Sequence, residues 1–398
     1  MNECKVLRDP VHGYIHIDDQ VIWDLLKCRE VQRMRRIHQL GGVFQVYHGA
    51  EHSRFSHSLG VYEIARRMVE EVEGLKENVS EEERIALLCA ALLHDLGHGP
   101  FSHFFENLSG IDHEQMGCDL ILDENSDVNR TLDSCSPNLK HQVVDILCHR
   151  HENPILNTMI SSQLDADRMD YLLRDACFTG TKYGNYDLER ILRTMRVKDN
   201  VLCIKESGKH AVEDYLMSRY QMFGQIYLHP DASSFELLIS IFFQRYKEIR
   251  KENPIEVFEP LFTGLTLKDF SRMDDYTFYY GFSQAQDSKD PILQDLACRI
   301  LYRGLFGWIE KPSQQQIDDI KKRLQDAGLD ENYYFAGQEA VTEYYPYAEE
   351  HVPPVMVERK GTLQPLSVVS EVAKALLSVE HQRVHRIYFP KEIGAEYN

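Results

Sequence analysis

The sequence predicts a mostly α-helical protein, with a helical core that carries short β-hairpins and a smaller mixed α/β lobe at the C-terminus. Two observations lead to this prediction. Through most of the first 250 or so residues, apolar side chains recur every three or four positions, as they do on the buried face of a helix. After about residue 255 the helical pattern is interrupted by stretches rich in Tyr, Pro and Glu. We therefore predict a core at 1–255 and a lobe at 256–398.

Two turn-rich segments of the core predict β-hairpins. Residues 4–18 alternate loosely around a Pro and a Gly, and residues 197–209 contain a Ser-Gly pair that predicts the turn. A capping box is expected at Ser80 and Glu83, at the start of a helix. The remaining core segments predict helices at 20–40, 58–74, 81–96, 112–124, 138–151, 155–176, 186–196, 210–228 and 232–252.

The lobe mixes helical and extended patterns. Residues 331–365 look extended, and the apolar-aromatic string IYFPKE lies at 387–392. Helices are predicted at 266–273, 290–306, 313–327 and 366–378.

Composition excludes several classes of protein. The net charge is 44 − 63 = −19, which argues against general nucleic-acid binding because that depends on Lys and Arg. No run approaches the ~18 apolar residues of a membrane helix, and the N-terminus has no secretory pattern. The nine cysteines form no C-x-x-C pair, as expected for free thiols in a reducing compartment. We expect a cytoplasmic protein without membrane association.

The His94-Asp95 pair carries the first indication of chemistry. A neighbouring His and Asp near the end of an apolar helix can ligate one metal ion, and further ligands are available in HSRFSHS at 52–58 and DADRMDY at 165–171. A mixed imidazole and carboxylate set suits Mn, Fe, Ni or Zn, and Mg less naturally. A single His-Asp pair is more often a polar helix end than a metal site, but this series of His and Asp residues between helices favours a metal-dependent hydrolase.

Three more histidines follow closely, namely His98, His103 and His113. Imidazoles of this kind can donate to phosphate oxygens or protonate a leaving group. His94 and His98 are four residues apart, so they share a helix face if the helix continues that far.

The order of these residues resembles the H…HD…D pattern of the HD superfamily of phosphohydrolases. Longer strings resemble its dNTP triphosphohydrolases from Lys5 to about Phe306, and IYFPKE extends the likeness to the bacterial members. The matching strings are QLGG at 39–42, HSRFSHSLGVYE at 52–63, LLHDLGHGPFSH at 92–103, DHE at 112–114 and DADRMDYLLRD at 165–175. The resemblance implies an HD-domain core and hydrolysis of a dNTP to a deoxynucleoside and inorganic triphosphate.

The same resemblance implies roles for individual residues. One divalent metal ion (Mn, Mg, Fe, Ni or Zn) per subunit would be bound by His57, His94, Asp95 and Asp167. Catalytic histidines would surround the triphosphate at His98, His103 and His113, with His103 protonating the leaving oxygen. Phosphates would be contacted by Arg54 and Arg168, the deoxyribose by Gln39, Tyr171 and Asp175, and the base by Tyr227. Tyr171 would stack where a 2′-hydroxyl clashes.

Members of this family often form tetramers that bind activating nucleotides between subunits. Matching positions are Lys5, Gln32, Arg35, Asp187, Arg190 and Arg303. We therefore expect a homotetramer activated by a (d)NTP. Among the related dNTP triphosphohydrolases, the animal member has an Asp that reads guanine where this sequence has Lys27, and a Lys where it has Gly307. A strict guanine requirement is therefore not expected.

Two other functions are compatible with the pattern. The protein could be another HD phosphohydrolase that acts on a nucleoside monophosphate, a cyclic dinucleotide or ppGpp, or it could be a nucleotide sensor without enzymatic activity. The QLGG and DYLLRD strings argue against the first, and the complete set of metal ligands argues against the second.

Overall fold

The structure is a computed structural model that describes residues 3–342, 354–377 and 382–397. Helices dominate it, which confirms the mostly α prediction. The α-helices of the first half are α1 Gln20–Leu25, α2 Arg29–Arg33, α3 Arg54–Glu71, α4 Leu75–Asn78, α5 Glu81–Leu93, α6 His103–Ser109, α7 His113–Leu122, α8 Asp127–Cys135, α9 Leu139–Leu147, α10 Pro154–Ile160, α11 Ala166–Thr179 and α12 Leu188–Thr194. The second half contains α13 Lys209–Met222, α14 Pro230–Ile249, α15 Pro260–Thr263, α16 Leu267–Phe270, α17 Asp275–Ala285, α18 Pro291–Leu301, α19 Gln314–Asp326, α20 Glu331–Tyr334, α21 Leu366–Val369 and α22 Glu371–Leu377.

Three small sheets accompany the helices. The strands are β1 Lys5–Asp9, β2 Gly13–Ile17, β3 Met195–Lys198, β4 Val201–Lys205, β5 Phe306–Glu310, β6 Ala336–Thr342, β7 Met356–Arg359, β8 Thr362–Pro365 and β9 Gln382–Pro390. Strands β1 and β2 form the predicted N-terminal hairpin, and β9 contains most of the IYFPKE string. The second sheet has the order β3-β4-β7-β8, with β4 and β7 parallel, and the third is antiparallel with the order β5-β9-β6.

Helix α5 lies at the centre of the HD region. From Ala86 to Leu93 every residue is buried, as expected for a helix that is apolar on all sides. Its N-terminus has the predicted capping box between Ser80 and Glu83. Helix α3 packs against both α5 and α11. This arrangement brings three separate parts of the chain to one place at the C-terminal end of α5.

Two long predicted helices are interrupted. The segment 20–40 forms α1, α2 and a 3₁₀ turn at Met34–Arg36. The sequence does not reveal these breaks, because the apolar periodicity continues across them. The segment 155–176 is divided between α10 and α11. There the Asp165 carboxylate accepts hydrogen bonds from the backbone N–H groups of Ser162 and Arg168, which caps a new helix.

The second hairpin turns at a different place from the one predicted. Asp199 and Asn200 connect β3 to β4 with φ values of 51° and 61°, a conformation that Asp and Asn tolerate better than most residues. Ser207 and Gly208 instead lie in a 3₁₀ turn after β4. Helices α6, α8 and α17 were not predicted.

The buried apolar residues form one cluster that runs from Ile15 to Phe389. It contains residues from both predicted domains, and the boundary at 255 stays a prediction. In the described part of the chain no helix is both long and apolar enough to span a bilayer. All nine cysteines are free thiols, as predicted.

Candidate active site

Three side chains from three helices meet beyond the end of α5. His57 comes from α3, His94 caps α5 and Asp167 lies in the first turn of α11. The His57 Nε2 atom is 2.9 Å from Asp167 Oδ1 and 3.2 Å from His94 Nε2. One ligand atom from each of these residues lies within 4.8 Å of the others. The structure thus groups three of the four predicted metal ligands.

Asp95, the fourth predicted ligand, lies beside this cluster. Its carboxylate oxygens are 3.4 Å from His94 Nε2 and 3.8 Å from His57 Nε2. Arg54 donates to the same carboxylate over 2.5 Å. Burial raises the pKa of Asp95, but Arg54 and the neighbouring histidines outweigh burial and hold it well below its usual value. Asp95 is therefore anionic and available to a cation.

The donor set fits a divalent transition metal ion. Burial lowers the pKa of His57, but hydrogen bonds to Asp167 and Asp170 outweigh this effect and raise it to about 10. Burial raises the pKa of Asp167, whereas His57 and His94 lower it below its usual value. The cluster therefore holds protons between its nitrogen and oxygen donors, and a cation would replace them. Two imidazoles with carboxylates suit Mn, Fe, Ni or Zn better than Mg.

After α5 the chain turns sharply beside the His57–His94–Asp167 group. Helix α5 ends at Leu93, so the condition for a helix face shared by His94 and His98 is not met. Gly97 packs directly on α7, since a Cβ atom there would lie 1.9 Å from the carbonyl oxygen of His113. The absence of a side chain at this position lets α7 bring His113 to the site.

The turn ends in two residues with strained backbones. Phe101 and Ser102 have φ values of 54° and 53°, which cost non-glycine residues energy unless their surroundings impose them. The Phe101 N–H donates to the buried Asp275 carboxylate over 3.0 Å. The Ser102 hydroxyl accepts from Arg54 Nε and a terminal guanidinium nitrogen at 3.0 and 2.8 Å. The strained turn thus helps to orient Arg54.

Two of the predicted catalytic histidines lie against each other. The rings of His98 and His113 stack with centroids 4.0 Å apart. Burial, followed by the charge of Arg54, holds the pKa of His98 well below its usual value, so His98 is neutral near pH 7. Nδ1 of His113 lies 2.6 Å from Glu106 Oε1. His103 begins α6, but its side chain lies outside the described residues.

A cavity of about 490 Å³ connects the predicted metal ligands His94, Asp95 and Asp167 with the predicted sugar and base contacts. Its volume is in the range of small-ligand sites. Tyr227 donates its hydroxyl hydrogen to Asp175 over 2.8 Å, and His52 Nε2 lies 2.7 Å from the other Asp175 oxygen. The buried Oε1 of Gln39 has no hydrogen-bond partner in the described structure. The predicted substrate residues that line the cavity are Gln39, Arg54, Tyr171, Asp175 and Tyr227.

Arg168 is the one predicted substrate residue that does not line the cavity. Its guanidinium group donates to Asp165 and to the Ser162 carbonyl at 2.5 and 2.6 Å. The role of Arg168 as a phosphate contact stays a prediction.

The sequence did not identify two acidic residues near the site, Glu106 and Glu236, and it left open whether Asp170 lies behind the metal ligands or faces solvent. Glu106 pairs with His113, and Glu236 lines the cavity beside Gly41. Asp170 accepts from Nδ1 of His57 over 2.8 Å. Of the two missed residues, only Glu106 could have been suspected, because it lies three residues after His103.

The predicted activator contacts lie on helices, strands and turns around the core. Arg35 Nε donates to Gln32 over 3.0 Å and its guanidinium group stacks 3.6 Å above the Phe55 ring. Asp187 caps α12 by accepting from the N–H of Arg190. The other two positions are the partly exposed Lys5 in β1 and Arg303, which donates to the Gln45 carbonyl over 2.8 Å. Their role in binding a nucleotide stays a prediction.

The fold and this centre define a hydrolase of the HD type, with a site for a divalent metal ion. Residues 54–175 match the HD domain, and residues 186–396 match the HD associated region. The chain belongs to the HD domain family of phosphohydrolases.

Relatives extend over nearly the whole chain. The protein YwfO of Bacillus subtilis is 41% identical, with 99% of this chain and 94% of that protein covered. The human deoxynucleoside triphosphate triphosphohydrolase SAMHD1 is 28% identical over 82% of this chain, which spans 58% of the human protein. A phosphohydrolase from Bacteroides thetaiotaomicron has a similar solved structure, with a TM-score of 0.86, 26% identity, and 97% of this chain and 100% of that chain covered.

Proposed function

We propose that this protein hydrolyses dNTPs to deoxynucleosides and inorganic triphosphate with one divalent metal ion per subunit. The observation that carries the proposal is the continuity of the cavity. Asp167, at the metal cluster, and Tyr171, at the predicted sugar site, line the same space one helical turn apart on α11. Similarity to the deoxynucleoside triphosphate triphosphohydrolase SAMHD1 supports the choice of substrate.

In the proposed reaction, a water oxygen attacks the α-phosphorus and the bond from that phosphorus to the sugar 5′ oxygen breaks. The 5′ oxygen takes up a proton and leaves as the deoxynucleoside hydroxyl, while triphosphate keeps the water oxygen. A bound divalent metal ion would lower the pKa of the attacking water and polarise the phosphoryl oxygen. The side chains that would hold it are His57, His94, Asp95 and Asp167.

The remaining residues would bind the phosphates and move protons. Arg54 is already oriented by Asp95 and Ser102 and would present the rest of its guanidinium group to a phosphate. His113, whose Nδ1 atom lies 2.6 Å from Glu106, would donate to a phosphate oxygen of the bound nucleotide. His103 would protonate the 5′ oxygen, and His98 and His113 would contact the triphosphate.

Tyr171 would select the sugar of the nucleotide within the cavity. The Tyr171 ring lies 6.2 Å from the Tyr227 ring and 6.4 Å from the His57 ring, measured between centroids. It therefore stands between the metal cluster and the base side of the cavity, where a ribose 2′-hydroxyl would meet it. Asp175 and Gln39 are available to the 3′-hydroxyl, since both line the cavity.

The decisive experiment is product analysis. Purified protein is incubated with Mn²⁺ or Mg²⁺ and the four dNTPs, with GTP or dGTP as possible activators, and the products are separated by ion-exchange chromatography. Deoxynucleoside and inorganic triphosphate are expected. Orthophosphate or pyrophosphate would instead indicate another HD phosphohydrolase, and metal-loaded protein without any product under all activator conditions would favour a nucleotide sensor.

Two variants control this experiment. Asp167→Ala should lose both turnover and bound metal while keeping its helical circular dichroism, because it removes one donor of the cluster. Asp318→Asn, whose carboxylate accepts from Gln314 on the exposed side of α19, should behave as wild type. Unchanged activity in Asp167→Ala would remove that residue from the proposed ligands.

We also propose a cytoplasmic homotetramer that a (d)NTP activates at the subunit interfaces. Sedimentation velocity with and without dGTP or dATP tests this assembly, and tetramers are expected in the presence of nucleotide. Arg35→Ala should weaken the response, because it removes a cation predicted to contact the activator. A monomer at every nucleotide concentration would overturn the proposal.

A further inference from the structure

Asp170 is a fully buried carboxylate that contacts a metal ligand. Its Oδ2 atom accepts from Nδ1 of His57 over 2.8 Å and from Arg174 Nε over 2.8 Å. Its Oδ1 atom accepts from a second Arg174 nitrogen over 2.9 Å and lies 2.6 Å from Nε2 of His12. Buried carboxylates require such partners, and these partners come from three separate parts of the chain.

The contact with His57 determines which nitrogen is free for a metal ion. When Nδ1–H of His57 donates to Asp170, the lone pair of the neutral ring lies on Nε2. That atom is the one that faces Asp167 and His94. A carboxylate behind a metal-binding histidine fixes the tautomer and the orientation of the ring and makes the ligand more basic.

The N-terminal hairpin holds the other side of Asp170. At the end of β1, Asp9 Oδ1 accepts from the backbone N–H groups of Val11 and His12 at 2.9 and 3.0 Å, which shapes the turn. Asp9 also accepts from Arg174 over 2.9 Å. The turn therefore projects His12 inward, where its side chain is 3% exposed.

Helix α3 is adapted to this carboxylate. Gly60 lies one turn after His57, and a Cβ atom there would be 1.8 Å from Asp170 Oδ1 and 2.4 Å from an Arg174 nitrogen. Glycine thus lets the Asp170–Arg174 pair approach the backbone of α3. The contact is built from α3, α11 and the hairpin together.

We propose that Asp170 is a positioning residue for the metal ligand His57. We also propose that His12, in the β1–β2 hairpin, supports the metal centre by holding Asp170 in place. This inference deepens the proposed function and rests on its metal ion, but not on its substrate. Neither residue is assigned a contact with the metal ion or the nucleotide. Loss of either should weaken metal binding through the orientation of His57.

The test is a titration of the full chain with Mn²⁺, in which free Mn²⁺ is measured by electron paramagnetic resonance. Asp170→Asn keeps the shape but removes the charge, and we expect Mn²⁺ to bind roughly 10- to 100-fold more weakly, as for other carboxylates behind metal-binding histidines. His12→Gln should cause a smaller loss. His210→Gln, which removes an exposed histidine 2.6 Å from Glu213, is the matched control and should bind Mn²⁺ as wild type does.

A purely structural role predicts a loss of turnover that added Mn²⁺ does not restore. Positioning predicts that turnover lost at limiting Mn²⁺ returns as Mn²⁺ is raised, with an unchanged KM for the nucleotide. Wild-type affinity in folded Asp170→Asn would overturn the inference. If that variant does not fold, wild-type affinity in His12→Gln would overturn it instead.

Failure of the inference and failure of the proposed function remain distinct. Wild-type protein that binds Mn²⁺ without hydrolysing dNTPs would refute the substrate and leave the positioning role to be judged by Mn²⁺ affinity. Wild-type protein that binds none of Mn²⁺, Fe²⁺, Ni²⁺ and Zn²⁺ would overturn both.

Discussion

The backbone and the ring of His113 are both fixed by Glu106. Glu106 Oε1 lies 2.6 Å from Nδ1 of the ring and accepts from the backbone N–H over 3.1 Å. One carboxylate thus holds both the backbone and the ring of the first residue of α7. The stacking of His113 on His98 places both rings in the wall of the cavity.

This pairing predicts that Glu106 supports catalysis by positioning His113. Glu106→Gln should lower kcat for dNTP hydrolysis by about 10²-fold, the low end of what a positioned acid–base group contributes. The KM should change little, because Glu106 is not expected to contact the nucleotide. Steady-state kinetics with saturating Mn²⁺ measure both quantities. A wild-type kcat would show that the orientation of His113 is unimportant for the reaction.

Tyr171 is predicted to exclude ribonucleotides. Tyr171→Ala should lower the ratio of kcat/KM for dATP over ATP by up to about 10²-fold, the scale on which a pocket rejects one added hydroxyl group. Tyr171→Phe is the control, because it keeps the ring and should keep the ratio. Competition between the two nucleotides in one reaction gives the ratio directly. If Tyr171→Ala leaves it unaltered, the sugar is read elsewhere.

Glu236 predicts a pH dependence of substrate binding. Its side chain is open to the water of the cavity, yet enclosure by protein raises its pKa to about 7, partly opposed by the Gly42 N–H. The carboxyl group is neutral below that pH and anionic above it. An anion in the cavity repels a nucleotide triphosphate, so KM should rise as pH increases from 6 to 8.

The variant Glu236→Gln isolates this contribution from the titration of the nucleotide itself. It should bind the nucleotide roughly fivefold more tightly than wild type at pH 8, equivalent to ~1 kcal/mol of repulsion between nearby charges in water. The two proteins should converge at pH 6. Parallel KM profiles across this range would show that Glu236 does not face the bound nucleotide.

Gly97 predicts a steric requirement for the sharp turn after the metal ligands. Gly97→Ala places a methyl group against the backbone of His113 and Gly117, neither of which can rotate away. The free energy of unfolding should fall by about 1–3 kcal/mol, as for other overpacked interiors, and turnover should fall with it. Urea denaturation measures the change. In Gly337→Ala the new methyl would meet His385 at 3.7 Å and no other described residue within 4 Å. Wild-type stability is therefore expected there, and a comparable loss would refute the steric account.

Most long helices could be predicted, since burial imposes a period on the sequence that survives without the fold. The Ser80–Glu83 cap and the start of α7 are local features, and both were visible in the residue order. The breaks before α2 and α11 were not visible. They depend on side chains such as Asp165, which caps a new helix while the apolar pattern continues on either side.

That His57, His94 and Asp167 would lie together was predicted from the sequence, because their order resembles the H…HD…D pattern of a known family, and the structure brings the three side chains to one place. Tertiary structure alone decided what supports them. Asp170 reaches His57 across 113 positions of sequence, and His12 reaches Asp170 across 158. No local period or spacing encodes such contacts, since they arise only when the hairpin, α3 and α11 pack around one buried charge that must be satisfied.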